Sequence, residues 1–289
     1  MKKVNDQEMS FLDHLEELRW HIIRAVGAIL VGAIIAFLNK EFVWNKIIFG
    51  PKNADFATYR FFCNLSPSLC FGPDNIEVFT RDFGEQFMMH FVSSFWIGLI
   101  IAFPYIMWEI WRFVKPGLYK KEQKAIRGVV AICSGLFFLG VLFGYYVIAP
   151  FGISFLSNYE IATGIENTVS LDSYVSYLTM FILPLGLVFE LPVIVYFLAK
   201  VGIVNAEMLR SFRKHAIVVI IIVAAVITPP DVVSQILVSL PLIMLYEVSI
   251  LIASRTIRAV EEDDDDDEPD DDDKDENKDE YDYDESKSD

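Results

Sequence analysis

Three glutamates stand where a carboxylate needs a physical reason. Glu17 continues a helical stripe with Asp13, His21 and Arg24, and Glu122 is the only acid in the basic stretch 113–127, beside Lys120, Lys121 and Lys124. Glu190 lies inside the apolar run Tyr174–Ala199. An acid at mid-bilayer costs roughly 2.5 to 3.5 kcal/mol on insertion scales, so Glu190 demands a cavity or a partner. For Glu17 and Glu122 the plain readings are a solvated helix face and a surface ion pair, the latter worth about 0 to 1 kcal/mol. What raises interest is that both stand on the same membrane side, each at the mouth of a bundle. Thr228-Pro229-Pro230-Asp231 makes a polar break that reads as a turn, except that Gln235 already stands one turn into the next apolar segment.

Covalent chemistry has no comparable footing. The cysteines at 63, 70 and 133 form no metal cluster, and the histidines at 14, 21, 90 and 215 have no ligand spacing. A phosphate-cradling glycine loop with its lysine and a Gly-x-Ser-x-Gly turn are both missing from the sequence. The chain therefore reads as a non-enzyme without a metal or cofactor. Nucleic-acid binding is excluded too, because it needs a clustered basic face.

The elements that must carry these glutamates are membrane spans. Hydrophobic residues make up 54% of the 289, and long apolar windows run over Ile22–Leu38, Phe87–Trp108, Gly128–Phe151, Tyr174–Ala199 and Val232–Ala253. About 20 apolar residues cross the hydrocarbon layer as a helix. A sixth window, Ala216–Ile227, holds only 12 residues, which suits a re-entrant segment or a locally thin bilayer. Of the 24 Lys and Arg, 19 fall before or just inside the first window, in alternate loops and in the tail, against 5 on the other side. By the positive-inside rule both termini are cytoplasmic. The expected fold is an all-α polytopic membrane protein with six transmembrane helices, the fifth and sixth short. A single acid within the spans and no repeat between the halves weigh against a proton-coupled secondary transporter, and a membrane scaffold leaves the interfacial glutamates unexplained.

Three regions follow. Residues 1–21 read as a cytoplasmic amphipathic interface helix, opened by a capping box at Ser10 and Asp13. Residues 22–255 form the membrane domain, with an ordered exported loop over 39–86, and no cleavable leader precedes it. Residues 256–289 read as a disordered acidic tail: positions 261–289 hold 20 Asp and Glu and 3 Lys, which accounts for the net charge of -16. Cys63 and Cys70 in the exported loop are either a disulfide or two buried thiols, and Cys133 packs within a span. The small-residue pairs Ala28/Gly32, Gly98/Ala102 and Gly140/Gly144 suit close helix crossings. Prolines at 104, 150, 184, 192 and 241 bend or end their helices.

Four motifs in register carry a resemblance. His14-Leu15-Glu16-Glu17-Leu18-Arg19, Leu118-Tyr119-Lys120-Lys121-Glu122, Phe189-Glu190-Leu191-Pro192-Val193 and Thr228-Pro229-Pro230-Asp231-Val232-Val233-Ser234-Gln235 together resemble the TatC family, over about residues 10–255. That family supplies the polytopic receptor subunit of the twin-arginine protein translocase in the bacterial cytoplasmic (inner) membrane. The longer cysteine-bearing first loop, the acidic tail, and Trp20 and His21 where a further basic residue often stands depart from the pattern. The resemblance implies that Glu17 and Glu122, with Arg19, Lys120 and Phe113 around them, bind the paired arginines of signal peptides on folded precursor proteins. It implies that Glu190 and the polar set Thr228, Asp231 and Gln235 contact single-span subunits of the TatA and TatB type. A homo-oligomer in the bilayer, driven by the proton gradient, completes the expectation.

Overall fold

A computed structural model of the chain describes residues 11–67, 70–73, 76–114, 126–159, 168–228 and 232–265. Helix α1 spans Phe11–Leu38 and is followed by α2 (Lys40–Phe42), a π-helical turn over Val43–Ile48, and α3 (Ala57–Leu65). Strand β1 (Glu77–Phe79) leads into α4 (Glu85–Val114). Next come α5 (Ile126–Phe143), a π-helical turn over Gly144–Ile148, and α6 (Ala149–Ser157). Strand β2 (Thr168–Ser170) precedes α7 (Leu171–Val188) and α8 (Leu191–Lys200). The last described elements are α9 (Ala206–Ser211), α10 (Arg213–Ile227) and α11 (Val232–Asp265).

Among the described residues, five helical stretches are long and apolar enough to cross a membrane: Leu15–Leu38, Glu85–Val114, Gly128–Ser157, Leu171–Lys200 and Ser234–Thr256. At most 33% of the apolar window in any of them is buried within the protein. Helices apolar on every face and mostly uncovered require lipid around them, and helix is the form that satisfies the backbone there. Helix α10, with 15 residues, reaches about 22 Å at the helical rise and is shorter than the rest. The expectation of a short last helix is corrected: α11 has 34 residues, 23 of them in the apolar span. Pro241 lies inside α11 without ending it, and the helix continues into the acidic run as far as Asp265. Helix α1 is likewise continuous across the expected boundary at 21/22. Ser10 and tail residues 266–289 lie outside the described residues.

Small residues set the closest crossings. A Cβ on Gly32 of α1 would lie 2.9 Å from the Gly98 carbonyl oxygen of α4. In the α5–α7 pair, a Cβ on Gly140 would lie 2.7 Å from the Leu185 carbonyl oxygen, and one on Gly186 would meet the Phe137 ring at 2.8 Å. Without a hydrophobic drive between helices in lipid, such backbone approach is a main source of packing energy. Phe137 also stacks on Phe103 of α4, with centroids 3.5 Å apart. A buried cluster of Ile148, Phe181, Leu185, Ile220, Ala224 and Leu242 joins the middle of the bundle to the α10–α11 hairpin.

The two ends of the bundle differ. At the end where α1 begins and α11 finishes, Trp111 of α4 lies on Phe197 of α8, and Ala199 of α8 packs with Ala253 of α11. The opposite end carries a small cap in which β1 and β2 pair in parallel, with Glu77, Val78 and Phe79 opposite Thr168, Val169 and Ser170. This ladder adds strand to a fold expected to be all helix. Ser170 then caps α7 by accepting from the Ser173 amide, and the Glu85 carboxylate accepts from the Asp172 amide at 2.9 Å. Buried Tyr59 of α3 donates to the Pro51 carbonyl at 2.8 Å and contacts the Pro150 carbonyl at 3.2 Å. Phe71 rests against Phe151 with centroids 4.3 Å apart, and a disulfide joins Cys63 to Cys70.

Candidate functional site

The ion-paired cluster at the terminal end is built by two helices. Glu17, His21 and Arg24 fall at helical spacing on α1, while Tyr105, Glu109, Arg112 and Phe113 fall on α4. The Gly32–Gly98 contact holds these helices close enough for their side chains to meet. Nδ1 of His21 hydrogen-bonds to Oε2 of Glu109. Arg24 donates from Nη1 to the same oxygen at 3.4 Å, and Arg112 Nη1 lies 3.9 Å from Oε1. The Tyr105 hydroxyl donates to Glu109 as well. Nε2 of His21 faces Glu17 Oε1 at 3.9 Å, and the Phe113 ring meets the imidazole edge-on with centroids 6.0 Å apart.

Burial separates the two acids. Glu109 is 2% exposed, whereas the Glu17 side chain is 42% exposed. A buried carboxylate survives only when paired and hydrogen-bonded, which His21, Arg24, Arg112 and Tyr105 supply. Glu17 keeps an open side from which a cation in solution can reach it. Arg19 is exposed on the same helix, and Lys120 and Glu122 lie outside the described residues.

Glu190 sits at the break between α7 and α8, where Pro192 starts the new helix. It is 5% exposed and turns into the chain's own interior, where Cys133 of α5 hydrogen-bonds to it. Its Oε1 has no partner among the described residues. Thr228 is also buried and gives its hydroxyl to the Ala224 carbonyl at 2.9 Å, closing α10. Gln235 reaches the Ile221 carbonyl at 3.4 Å across the hairpin. Asp231 lies outside the described residues. These groups thus satisfy local backbone and leave Glu190 as the unsatisfied atom of the set.

Two acids beyond the sequence candidates lie among the apolar helices. Glu109 and Glu247 both fall within candidate spans, so Glu190 is not the single membrane acid. Glu109 with Arg112 three residues on looks like a solvated ion pair at a helix end; the signal that it is buried is the pair of tryptophans, Trp108 and Trp111, that flank it. Glu247 pairs with Arg213 of α10 at 2.8 Å, both side chains nearly half-exposed. Each pairs with an arginine of the chain: Glu109 with Arg24 and Arg112, and Glu247 with Arg213. Among the described residues no group of three or more His, Cys, Asp or Glu side chains could hold a metal ion.

Apolar helices, a polar cluster confined to one end and an ordered cap at the other define a multi-pass membrane protein. The family model described as Sec-independent protein translocase protein (TatC) matches residues 13–241. The Sec-independent protein translocase protein TatC of Blattabacterium is 39% identical over 258 residues, covering 87% of this chain and 97% of its own. The protein of that name from Helicobacter pylori strain J99 is 42% identical over 240 residues, with 83% and 87% covered. A crystal structure of the twin-arginine translocase receptor TatC superposes with a TM-score of 0.66 at 32% identity, covering 84% of this chain and 99% of the other. The chain belongs to the TatC family, as a receptor subunit of the twin-arginine protein translocase.

Proposed function

We propose that this protein binds twin-arginine signal peptides at the end of the bundle where α1 begins, and there nucleates assembly of the translocase. That end faces the cytoplasm by the distribution of Lys and Arg, with six crossings when α10 is counted. The observation that carries the reading is the half-open Glu17, the one carboxylate of the described cluster that is reachable from solvent. Glu122 is its partner acid. A guanidinium presents a planar fork that matches a carboxylate with two hydrogen bonds, which an ammonium cannot reproduce. Each charge-assisted bond contributes about 1.5 to 3 kcal/mol before solvent screening, and Glu17 is exposed enough to discount that range strongly. Phe113 borders the site, and Arg19 and Lys120 are assigned to peptide binding with it.

Peptide binding then favours recruitment of single-span TatA- and TatB-type subunits within a homo-oligomer, and folded precursors cross at the expense of the proton gradient. Glu190 and the hairpin bearing Thr228, Asp231 and Gln235 form the subunit contact. Because Glu190 is buried in the isolated chain, this contact requires movement at the α7–α8 break or a polar side chain reaching into it. The decisive experiment is export of a twin-arginine reporter in a strain lacking its own family member. Restoration by the wild-type chain, with loss on Glu17→Ala or Glu122→Ala, is expected. Equal crosslinking of twin-arginine and twin-lysine peptides to the wild-type protein would sink the assignment.

A further inference from the structure

We infer that Glu109 and His21 are positioning residues for Glu17, so that a buried ion pair inside the chain sets how well the exposed carboxylate receives an arginine. The inference rests on the proposed role of Glu17 and adds two residues to it. His21 lies between two carboxylates, with Nδ1 on Glu109 and Nε2 facing Glu17 at 3.9 Å. The imidazole is 6% exposed, and the edge of Phe113 closes one side of it. Its far partner is fixed as well, since Glu109 is gripped by Arg24, Arg112 and Tyr105. The ring therefore has one orientation available, and that orientation aims Nε2 at Glu17.

Two consequences follow from charge and geometry. First, Glu109 is already occupied by the chain's own guanidiniums, which screens it from an incoming arginine and leaves Glu17 as the acceptor. Second, an exposed glutamate on a helix samples several rotamers, and a bidentate pair requires one of them. Fixing the side chain in advance removes that ordering cost from the binding step. A carboxylate offers about four lone-pair sites, so the approach of His21 to one site on Oε1 leaves the other sites on both oxygens open to the two donors of a guanidinium. A twin-lysine peptide gains little from the same order, because an ammonium accepts many approach directions. Positioning thus acts on arginine selectivity more than on affinity in general.

The test is a double-mutant cycle on the full-length protein in lipid nanodiscs, reading binding of twin-arginine and twin-lysine signal peptides. Glu109→Gln is expected to weaken twin-arginine binding about tenfold, comparable to losing one good polar contact, with the twin-lysine value unchanged. Combined with Glu17→Ala, it is expected to add nothing further. Additive losses, an equal loss for both peptides, or no loss would overturn the inference. Should Glu109→Gln fail to fold, His21→Phe, which keeps the ring and its Phe113 contact while removing both nitrogens, runs the same cycle with the same outcomes. If Glu17→Ala alone leaves twin-arginine binding intact, the parent reading of Glu17 has failed instead.

Discussion

The α1–α4 crossing is the mechanical support of the candidate site, and Gly98→Ala probes it directly. The added Cβ would run into the Ala33 backbone nitrogen and would lie 2.8 Å from the Ala33 Cα and 2.8 Å from the Ile29 carbonyl oxygen, where ordinary contact begins at 3.4 Å. All three obstacles are backbone, so no side-chain rotation relieves them, and α1 must back away. Overpacking of this kind costs about 1 to 3 kcal/mol. At about 2 to 4 °C per kcal/mol for a chain of this size, the melting midpoint in detergent should fall by several degrees. Arg24 and Glu109, now 3.4 Å apart, would be drawn toward the limit of a useful ion pair, so twin-arginine binding should weaken in parallel. Gly27→Ala, on the facing helix α1, is the control, since its Cβ would meet nothing within 4 Å. A Gly98→Ala protein melting with the wild type, or a Gly27→Ala protein falling as far, would refute close backbone contact as the support.

Tyr59→Phe removes a buried hydroxyl from the Pro51 and Pro150 carbonyls and should destabilise the cap by about 1 to 2 kcal/mol, seen as faster proteolysis within 50–73. Burial holds the Tyr59 phenol above its ordinary value, so the stability it lends is complete below about pH 10 and declines as pH rises beyond it. Tyr59→Phe should flatten that alkaline decline, and an unchanged decline would assign it to other groups. Reduction of Cys63–Cys70, seven residues apart, should release about 2 to 3 kcal/mol of loop restraint and expose the cap to protease while the bundle melts nearly as before; a collapse of the whole bundle would contradict that local role. Glu190→Ala should retain signal-peptide binding and lower subunit association or export, and export at the wild-type rate would reduce Glu190 to a packing residue.

Much of the architecture was legible in the residue order because lipid imposes a local rule. A spanning segment must be apolar for its whole length and must satisfy its own backbone, so hydropathy along the chain locates it. The windows at Phe87–Trp108 and Gly128–Phe151 accordingly lie inside the helical spans Glu85–Val114 and Gly128–Ser157. The extent of α11 was not legible: Pro241 and the acidic run suggest an early end, yet the helix absorbs both. A proline within a helix in lipid is tolerated when neighbours satisfy the freed carbonyl. The cap ladder was equally hidden, since two strands of three residues leave no periodicity to read.

What the sequence determined by itself is the set of apolar spans, the uneven distribution of charge, and the candidacy of Glu17 and Glu190 as carboxylates needing a reason. These are sums of local terms, one residue or one turn at a time. Small residues such as Gly32 and Gly98 announced close crossings, but only the tertiary structure decided that they meet each other. It also decided that Glu190 turns inward, and that Glu109, 88 residues from His21, is the buried anchor of the site. Burial and ion pairing belong to pairs of groups, and their sign changes with what stands opposite. The same glutamate is a surface charge when read along α4 and a fixed internal counter-ion once α1 lies across it.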